Sequence, residues 1–182
     1  MKFLITGVNH KTAPVEVREK LAFEPQGLGT ALGELLSRQA VAEAVILSTC
    51  NRVEIAITAR NGYDPRAEVD CFLSESRRVP LELIQPHLYH LADEEAIHHL
   101  FRVAASLDSM VIGEPQILGQ LKAAYAAAKA QGAVSGFLEL VLTRAFGVAK
   151  RVRSETGIGE NAVSVSYAAV ELAREIFGSL DD

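Results

Sequence analysis

The spacing of hydrophobic and polar residues changes about half-way along the chain, near Leu91. Before that point, short runs of β-branched and aliphatic residues alternate with amphipathic segments, which predicts a mixture of strands and helices. The predicted strands are 3–8, 41–47, 53–58 and 87–91, and the predicted helices are 14–20, 26–38 and 64–78. Their order predicts an α+β fold with a βαββαβ-like antiparallel or mixed sheet that carries its helices on one face.

After Leu91 the hydrophobic residues recur at helical spacing, which predicts a helical bundle. Asp93, Pro115 and Ser135 precede three of these periodic segments and are expected to cap or begin the helices. A fourth helix is predicted at 163–177. We therefore expect an α/β subdomain at 1–91, a helical subdomain at 92–160 and a further helix at 161–182.

Composition and charge narrow the class of protein. The 182 residues are 49% hydrophobic and 23% charged, values that are typical of a globular chain with a buried core. The formal net charge of −5 argues against a protein that coats nucleic acid over its whole surface, but it leaves room for a local basic patch. The apolar runs are too short for a signal peptide or a membrane span, so we expect a cytoplasmic protein.

Cysteine and glycine usage limits the cofactors that this chain is expected to bind. Cys50 and Cys71 are the only thiols, and no Cys/His cluster has the spacing of metal ligands, so we expect neither a disulfide nor a metal site. Cys71 lies in a predicted helix beside apolar neighbours and is expected to be a small packing residue. No glycine-rich strand-to-helix fingerprint for a dinucleotide occurs.

Cys50 lies in a short polar link between two predicted strands, where a side chain is presented rather than buried. In an extended segment Cys50, Arg52 and Glu54 share one face. A guanidinium on that face favours the thiolate over the thiol and also suits a bidentate grip on a carboxylate. The competing interpretation is that Cys50 is a small buried hydrophobe, as lone intracellular cysteines usually are.

His99 is the second candidate for chemistry. On a helix it lies opposite the apolar stripe of Ile97 and Phe101, but it shares its own row with Val103 and Met110. Such a semi-enclosed position suits a general acid or base. The alternative is a core histidine satisfied by a hydrogen bond.

Two further groups of polar residues stand out. One precedes and enters a predicted helix, and it consists of Ser109, Glu114, Gln116 and Gln120. This group suits an ammonium ion and an amino-acid backbone, although helix caps and solvated side chains are the commoner reading of such residues. The other group is a run of cations on one helix, where phosphates would bind: Arg144, Lys150, Arg151 and Arg153.

Four stretches of the chain, 7–14, 47–54, 106–120 and 149–159, resemble motifs of the glutamyl-tRNA reductase family. In order, they read GVNHKTAP, LSTCNRVE, SLDSMVIGEPQILGQ and AKRVRSETGIG. Motifs of this length are far more specific than a three-residue pattern, and together they extend over nearly the whole chain. The chain is therefore identified as resembling the N-terminal catalytic domain of this family, cut off before an NADPH-binding domain.

The resemblance implies a reaction and the residues that perform it. The family uses NADPH to reduce the glutamyl group of glutamyl-tRNA to glutamate-1-semialdehyde, which leads to 5-aminolevulinate and to porphyrin and other tetrapyrrole biosynthesis. It implies that Cys50 is the nucleophile that forms a thioester and that His99 is important for activity. The implied substrate-contacting positions are Thr49, Asn51, Arg52, Ser109, Glu114, Pro115, Gln116 and Gln120. Arg52 is expected to hold the side-chain carboxylate of glutamate, and Glu114 its ammonium group.

The resemblance also implies partners. The substrate is glutamyl-tRNA(Glu), for which the four cations of 144–153 are candidate contacts. The family's whole enzyme is a homodimer formed through a C-terminal domain outside this chain, and glutamate-1-semialdehyde aminomutase is a candidate partner enzyme. Residues 92–160 are expected to complete the glutamate site. By itself the chain is expected to form the thioester or to deacylate the tRNA, but not to reduce the acyl group.

Two other functions remain open on the residues alone. A cysteine hydrolase or acyltransferase would use the same nucleophile without NADPH. A non-catalytic module that binds tRNA or protein would use the cations of 144–153, and its affinity would be salt-sensitive but would survive alkylation of both cysteines. The module ranks last, because it leaves Cys50, Arg52 and the polar group around Ser109 without a purpose.

Overall fold

The computed structural model describes residues 2–60, 62–159 and 176. The strands are β1 (Phe3–Asn9), β2 (Val41–Ser48), β3 (Arg52–Ala59) and β4 (Tyr89–Ala92). The helices are α1 (Val15–Leu21), α2 (Leu28–Leu36), α3 (Pro65–Arg77), α4 (Leu81–Ile84), α5 (Asp93–Ala104), α6 (Gln116–Ala130) and α7 (Phe137–Glu155). Short 3₁₀ turns lie at Pro25–Gly27, Gln85–His87 and Gly157–Gly159. Every predicted strand, and every helix predicted before residue 160, is present with small shifts at its ends, whereas the short α4 was not predicted.

The four strands form one antiparallel sheet in the order β2-β3-β1-β4. β1 therefore lies between β3 and β4, although it comes first in the chain. In the register of β1 and β3, Gly7 pairs with Glu54 and Asn9 pairs with Arg52. The predicted α+β class is confirmed, and this register brings the beginning of the chain next to the link that carries Cys50.

Helices cover both faces of the sheet, which is why β1 and β3 are buried along their whole length. The helices α1 and α3 pack on one face, with α2 towards β2, and there Phe23 stacks on Phe72 of α3. The helices α5, α6 and α7 form the predicted bundle, which covers the opposite face. On that side Phe137, at the start of α7, meets Phe3 of β1 edge-on. One continuous hydrophobic core joins all three layers.

Two helix starts differ from the prediction. Asp93 does not cap α5, because its carboxylate accepts a hydrogen bond from the N–H of Phe3 at 3.0 Å. Ser135 does not cap α7 either, because the buried carboxylate of Glu43 in β2 accepts hydrogen bonds from three N–H groups there at 2.7 to 3.1 Å. Burial raises the pKa of Glu43, but these hydrogen bonds outweigh burial and hold the pKa below its usual value.

Some predictions extend beyond what the structure tests. The helix predicted at 163–177 lies outside the described residues, apart from Ile176. The division of the chain into 1–91, 92–160 and 161–182 stays a prediction. Within the described ranges, no helix is both long enough and apolar enough to cross a membrane.

Candidate active site

Cys50 lies in the short link between β2 and β3, and its side chain is exposed. Thr49 shapes this link, because its hydroxyl accepts hydrogen bonds from the N–H groups of Asn51 and Arg52 at 3.2 and 3.1 Å. The carbonyl of Asn51 accepts a further hydrogen bond from the N–H of His10 at 3.0 Å. The backbone of the link is therefore held on both sides, while the thiol stays accessible.

The second part of the site is the loop between α5 and α6. Ser106 closes this loop, because its carbonyl accepts from the N–H of Gly113 at 3.0 Å and its hydroxyl donates to the carbonyl of Glu114 at 2.6 Å. Both Ser106 and Gly113 have a positive φ, at 62° and 86°, which turns the chain sharply at each end of the loop. Residues 107–112 are therefore presented as a closed loop.

The link, the loop and the first two turns of α6 line a cavity of about 240 Å³. The predicted site residues that line it are Thr49, Cys50, Asn51, Ser109, Glu114, Gln116 and Gln120, and they are joined by Met110 and Ile117. Residues from two distant parts of the chain thus line one cavity, and their roles in a substrate site stay predictions. The exposed Cys50 does not fit the alternative of a buried packing residue.

Ser109 and Glu114 are the buried polar residues of this lining. The hydroxyl of Ser109 is buried and has no hydrogen-bond partner among the described residues. Because an unsatisfied buried hydroxyl costs about 1–3 kcal/mol, this group is suited to receive a ligand. Glu114 is the one charged residue among those that line the described cavity. A negative charge beside a free hydroxyl suits a ligand with an ammonium group.

Arg52 does not line the cavity, and its side chain is almost fully buried at 2% exposure. Nη1 of Arg52 donates to Oε1 of Glu54 at 2.6 Å. Nη2 donates to the carbonyl of Asp108 at 2.6 Å and to its carboxylate at 3.1 Å. Arg52 therefore ties β3 to the loop residue that precedes Ser109. Its contact with a substrate carboxylate stays a prediction.

Glu54 is the centre of a buried cluster, called here the Glu54 cluster, which comprises Arg52, Glu54, Tyr89, His99 and Asp108. Its Oε1 accepts hydrogen bonds from Arg52, from the hydroxyl of Tyr89 at 2.5 Å and from Nε2 of His99 at 2.9 Å. Burial raises the pKa of Glu54, but the hydrogen bond from His99 and the charge of Arg52 outweigh burial and lower the pKa to about 2. Because an ionised carboxylate only accepts, Nε2 of His99 is the donor in this hydrogen bond, and Nδ1 is the ring nitrogen that does not contact Glu54.

The motif at the beginning of the chain packs directly on the Glu54 cluster. Nζ of Lys11 donates to the carboxylate of Asp108 at 2.6 Å. A Cβ atom on Gly7 would lie 2.5 Å from the carbonyl oxygen of Val53 and 2.9 Å from Cγ of Glu54. The cluster therefore requires glycine at this position of β1, since any side chain would push Glu54 away.

Residues 6–156 match a family model that is described as the N-terminal domain of glutamyl-tRNAGlu reductase. The chain belongs to this family. The glutamyl-tRNA reductase of Solibacter usitatus is 67% identical over 180 residues, and that of Geobacter sulfurreducens is 54% identical over 183 residues. These matches cover 99% and 100% of the chain but only 43% and 42% of the two relatives. The chain thus spans less than half the length of these reductases.

A solved structure of another member of this family has the same fold as the chain. The glutamyl-tRNA reductase from Methanopyrus kandleri superposes with a TM-score of 0.72 at 36% sequence identity. The match covers 99% of this chain and 41% of that one. The family and the fold implied by the four sequence motifs are therefore confirmed.

The cations predicted to contact tRNA do not all lie on one face of the reductase domain. Arg144 and Arg151 are seven residues apart, on the same side of α7, and Arg151 pairs with Glu155 at 2.9 Å. Arg153 projects from the opposite side, is half-buried and donates to the carbonyl of Glu114 at 3.4 Å. Arg153 thus supports the cavity loop, and the contact of these cations with tRNA stays a prediction.

The sequence analysis missed Tyr89 and Asp108 of the Glu54 cluster, and it also missed the exposed Lys11 that pairs with Asp108. Lys11 and Asp108 do lie inside the reductase motifs at 7–14 and 106–120, which was the available signal. Nothing in the sequence marked Tyr89, which reaches Glu54 because β4 pairs with β1. Pro115, a predicted substrate contact, immediately precedes α6 and does not line the described cavity.

A larger cavity of about 570 Å³ lies at the other end of the sheet, between the start of β1 and the start of α3. The described residues that line it include no cysteine, histidine, serine or threonine, so the smaller cavity is the candidate for nucleophilic chemistry. The strands of the described ranges pair antiparallel and do not form the parallel strand–helix–strand unit of a dinucleotide site. Those ranges also contain no group of three or more His, Cys, Asp or Glu residues arranged to hold a metal ion.

Proposed function

We propose that this chain is the acyl-transfer part of an NADPH-dependent glutamyl-tRNA reductase, in which Cys50 takes the glutamyl group from glutamyl-tRNA(Glu) as a thioester. One observation carries the proposal. The exposed Cys50 lines the same small cavity as the unpartnered hydroxyl of Ser109 and the buried Glu114. A nucleophile beside a single negative charge fits an activated amino acid that carries its ammonium group next to the reacting carbonyl.

In the proposed step, the sulfur of Cys50 forms a bond to the glutamyl carbonyl carbon while the ester bond to the terminal ribose oxygen breaks. The thiol proton ends on the released ribose hydroxyl, so that atoms and charge balance. Glu114 pairs with the ammonium group, and Ser109 donates to an oxygen of the substrate. The remaining polar lining residues are the other proposed glutamate contacts: Thr49, Asn51, Gln116 and Gln120.

In this proposal Arg52 and His99 belong to the Glu54 cluster and do not line the cavity. Arg52 holds Asp108 and so fixes the position of Ser109. A direct contact of Arg52 with the side-chain carboxylate of glutamate would need an N–H group beyond the three hydrogen bonds that it already makes. The free Nδ1 of His99 is proposed to move a proton when the aldehyde product leaves.

The reduction needs a hydride donor that the described residues are not built to hold. NADPH, when bound, supplies hydride to the acyl carbon, and we place its site in the part of the full-length relatives outside the match. The whole enzyme is proposed to act in the cytoplasm as a homodimer in tetrapyrrole biosynthesis. Its product, glutamate-1-semialdehyde, would pass to the aminomutase that uses it.

The experiment follows the release of labelled glutamate from glutamyl-tRNA by this chain without NADPH. With water as the acceptor, the wild type should deacylate the tRNA slowly, and Cys50→Ser should fall to the uncatalysed rate. Cys71→Ser is the matched control and should equal the wild type, because Cys71 lies in α3 and not in the cavity. Equal rates for Cys50→Ser and wild type would overturn the proposal.

A further inference from the structure

The rim of the Cys50 cavity is apolar on one side. Met110 lines the cavity and yet is 61% exposed, and Ile112 in the same loop is also 61% exposed. Large apolar side chains that remain in water beside a functional cavity indicate a surface that a ligand or partner covers.

This exposure is built into the loop. Ser106, at the start of the loop, is hydrogen-bonded to Gly113 and Glu114 at its end. The N–H of Glu114 also donates to the carbonyl of Val111 at 3.3 Å. On the inner side, Asp108 is held by Arg52 and Lys11. The backbone on both sides of Met110 is therefore fixed by hydrogen bonds, which keeps this residue beside the cavity.

The size of the cavity shows which part of the substrate must lie at this rim. A volume of about 240 Å³ fits a glutamyl group, but it is smaller than the roughly 300–1,000 Å³ of pockets that enclose drug-sized ligands. The ester oxygen is bonded to the same carbonyl carbon that the sulfur of Cys50 attacks. The ribose and base of the terminal nucleoside must therefore lie just outside the cavity, next to Cys50.

The chemistry of the rim favours a base over a phosphate or a protein. The lining contains no cation among the described residues, so it offers nothing to a phosphate. The exposed side chain of Met110 is a small surface, far below the roughly 800 Å² per partner of a stable protein interface. The thioether of Met110 also makes favourable contacts with aromatic rings.

We propose that Met110 is the contact surface for the terminal adenine of the aminoacyl-tRNA and sets the preference of the site for an adenosine ester. This inference rests on the proposed acyl transfer to Cys50. It predicts that the alcohol part of the ester is recognised at Met110, independently of the glutamyl part in the cavity.

Two small esters test the alcohol part and the glutamyl part of the substrate separately. They are 2′(3′)-O-glutamyl-adenosine and glutamyl ethyl ester, which share the glutamyl group and differ in the alcohol. The measurement is kcat/KM for their Cys50-dependent cleavage by the wild type, Met110→Ala and Met110→Leu. Met110→Ala should lower the value for the adenosine ester about tenfold more than the value for the ethyl ester, because the ethyl ester has no base to lose. Met110→Leu should keep most of the activity, because it keeps the apolar surface. Leu83→Ala is the matched control, since Leu83 is 57% exposed on α4 and should affect neither ester.

The outcomes distinguish failure of this inference from failure of the proposed function. If Met110→Ala slows both esters equally, Met110 shapes the cavity and the inference is overturned. If it slows neither, the rim serves something other than the base, such as a protein domain, and the inference is overturned as well. If the wild type cleaves neither ester, this inference is overturned, and if Cys50→Ser also deacylates glutamyl-tRNA as fast as the wild type, the acyl transfer itself is refuted.

Discussion

The Cys50 cavity and the Glu54 cluster meet at two neighbouring residues, Ser109 and Asp108, but they are built in opposite ways. In the cavity the Cys50 side chain is exposed and the hydroxyl of Ser109 lacks a partner. In the cluster, Glu54 accepts three hydrogen bonds and Arg52 makes three. Unsatisfied groups are free to bind a substrate, whereas saturated buried networks hold geometry. The comparison assigns chemistry to one region and positioning to the other.

The largest effect should come from breaking the Glu54 cluster with Glu54→Gln. This change removes one of the two carboxylates that pair with the buried guanidinium of Arg52 and leaves only that of Asp108, and we expect a loss of about 3 kcal/mol in the free energy of unfolding at pH 7. Urea unfolding followed by circular dichroism measures this loss. Glu139→Gln is the matched control, because it removes a half-buried carboxylate that pairs with the exposed Lys129, and it should change stability far less.

The pH dependence of this difference is a sharper test of the same variant. The pKa of Glu54 is lowered from its ordinary 4.5 to about 2, so its stabilising contribution is complete above pH 4.5 and is lost as the pH falls towards 2. The gap in stability between wild type and Glu54→Gln should therefore close over that interval. A gap that stays constant down to pH 2 would show that the charge of Glu54 does not hold the cluster together.

A smaller effect, on activity alone, should come from the cavity side of the same loop. Ser109→Ala removes a hydroxyl that has no partner, so we expect a change of less than about 0.5 kcal/mol in stability. Deacylation of glutamyl-tRNA should fall about tenfold, as for one lost hydrogen bond to the substrate. Ser106→Ala is the contrasting variant, because its hydroxyl donates to Glu114 and its loss should destabilise the fold. If Ser109→Ala destabilises as much as Ser106→Ala, the division between the two regions is wrong.

Local sequence was enough to predict the helices and strands and to single out residues such as Cys50 and Arg52. It was not enough to predict which distant residues these side chains contact. The strand period placed Arg52 and Glu54 on one face, and the link around Cys50 was recognised from its polar residues between two strands. The hydrogen bond between Asp108 and Lys11, by contrast, joins residues 97 positions apart. Such contacts depend on sheet order and register, which periodicity leaves open.

The caps of the helices show the same limit. Asp93 and Ser135 are good cap residues by type, yet each lies where a distant group changes the outcome. The carboxylate of Asp93 accepts a hydrogen bond from the N–H of Phe3. At the start of α7, the carboxylate of Glu43 accepts a hydrogen bond from the backbone in place of Ser135. The position of the cavity residues within 109–120 was nevertheless predictable, because they follow one another in a single motif and the cavity forms around that motif.

The most direct test locates the acyl group on the protein. The chain is mixed with labelled glutamyl-tRNA, quenched in acid, digested and mapped by mass spectrometry. The proposed role of Cys50 predicts a glutamyl adduct on the peptide that contains Cys50, sensitive to hydroxylamine as thioesters are, and none on the peptide that contains Cys71. An adduct on Cys71, or deacylation of the tRNA with no adduct on Cys50 at any time point, would contradict it.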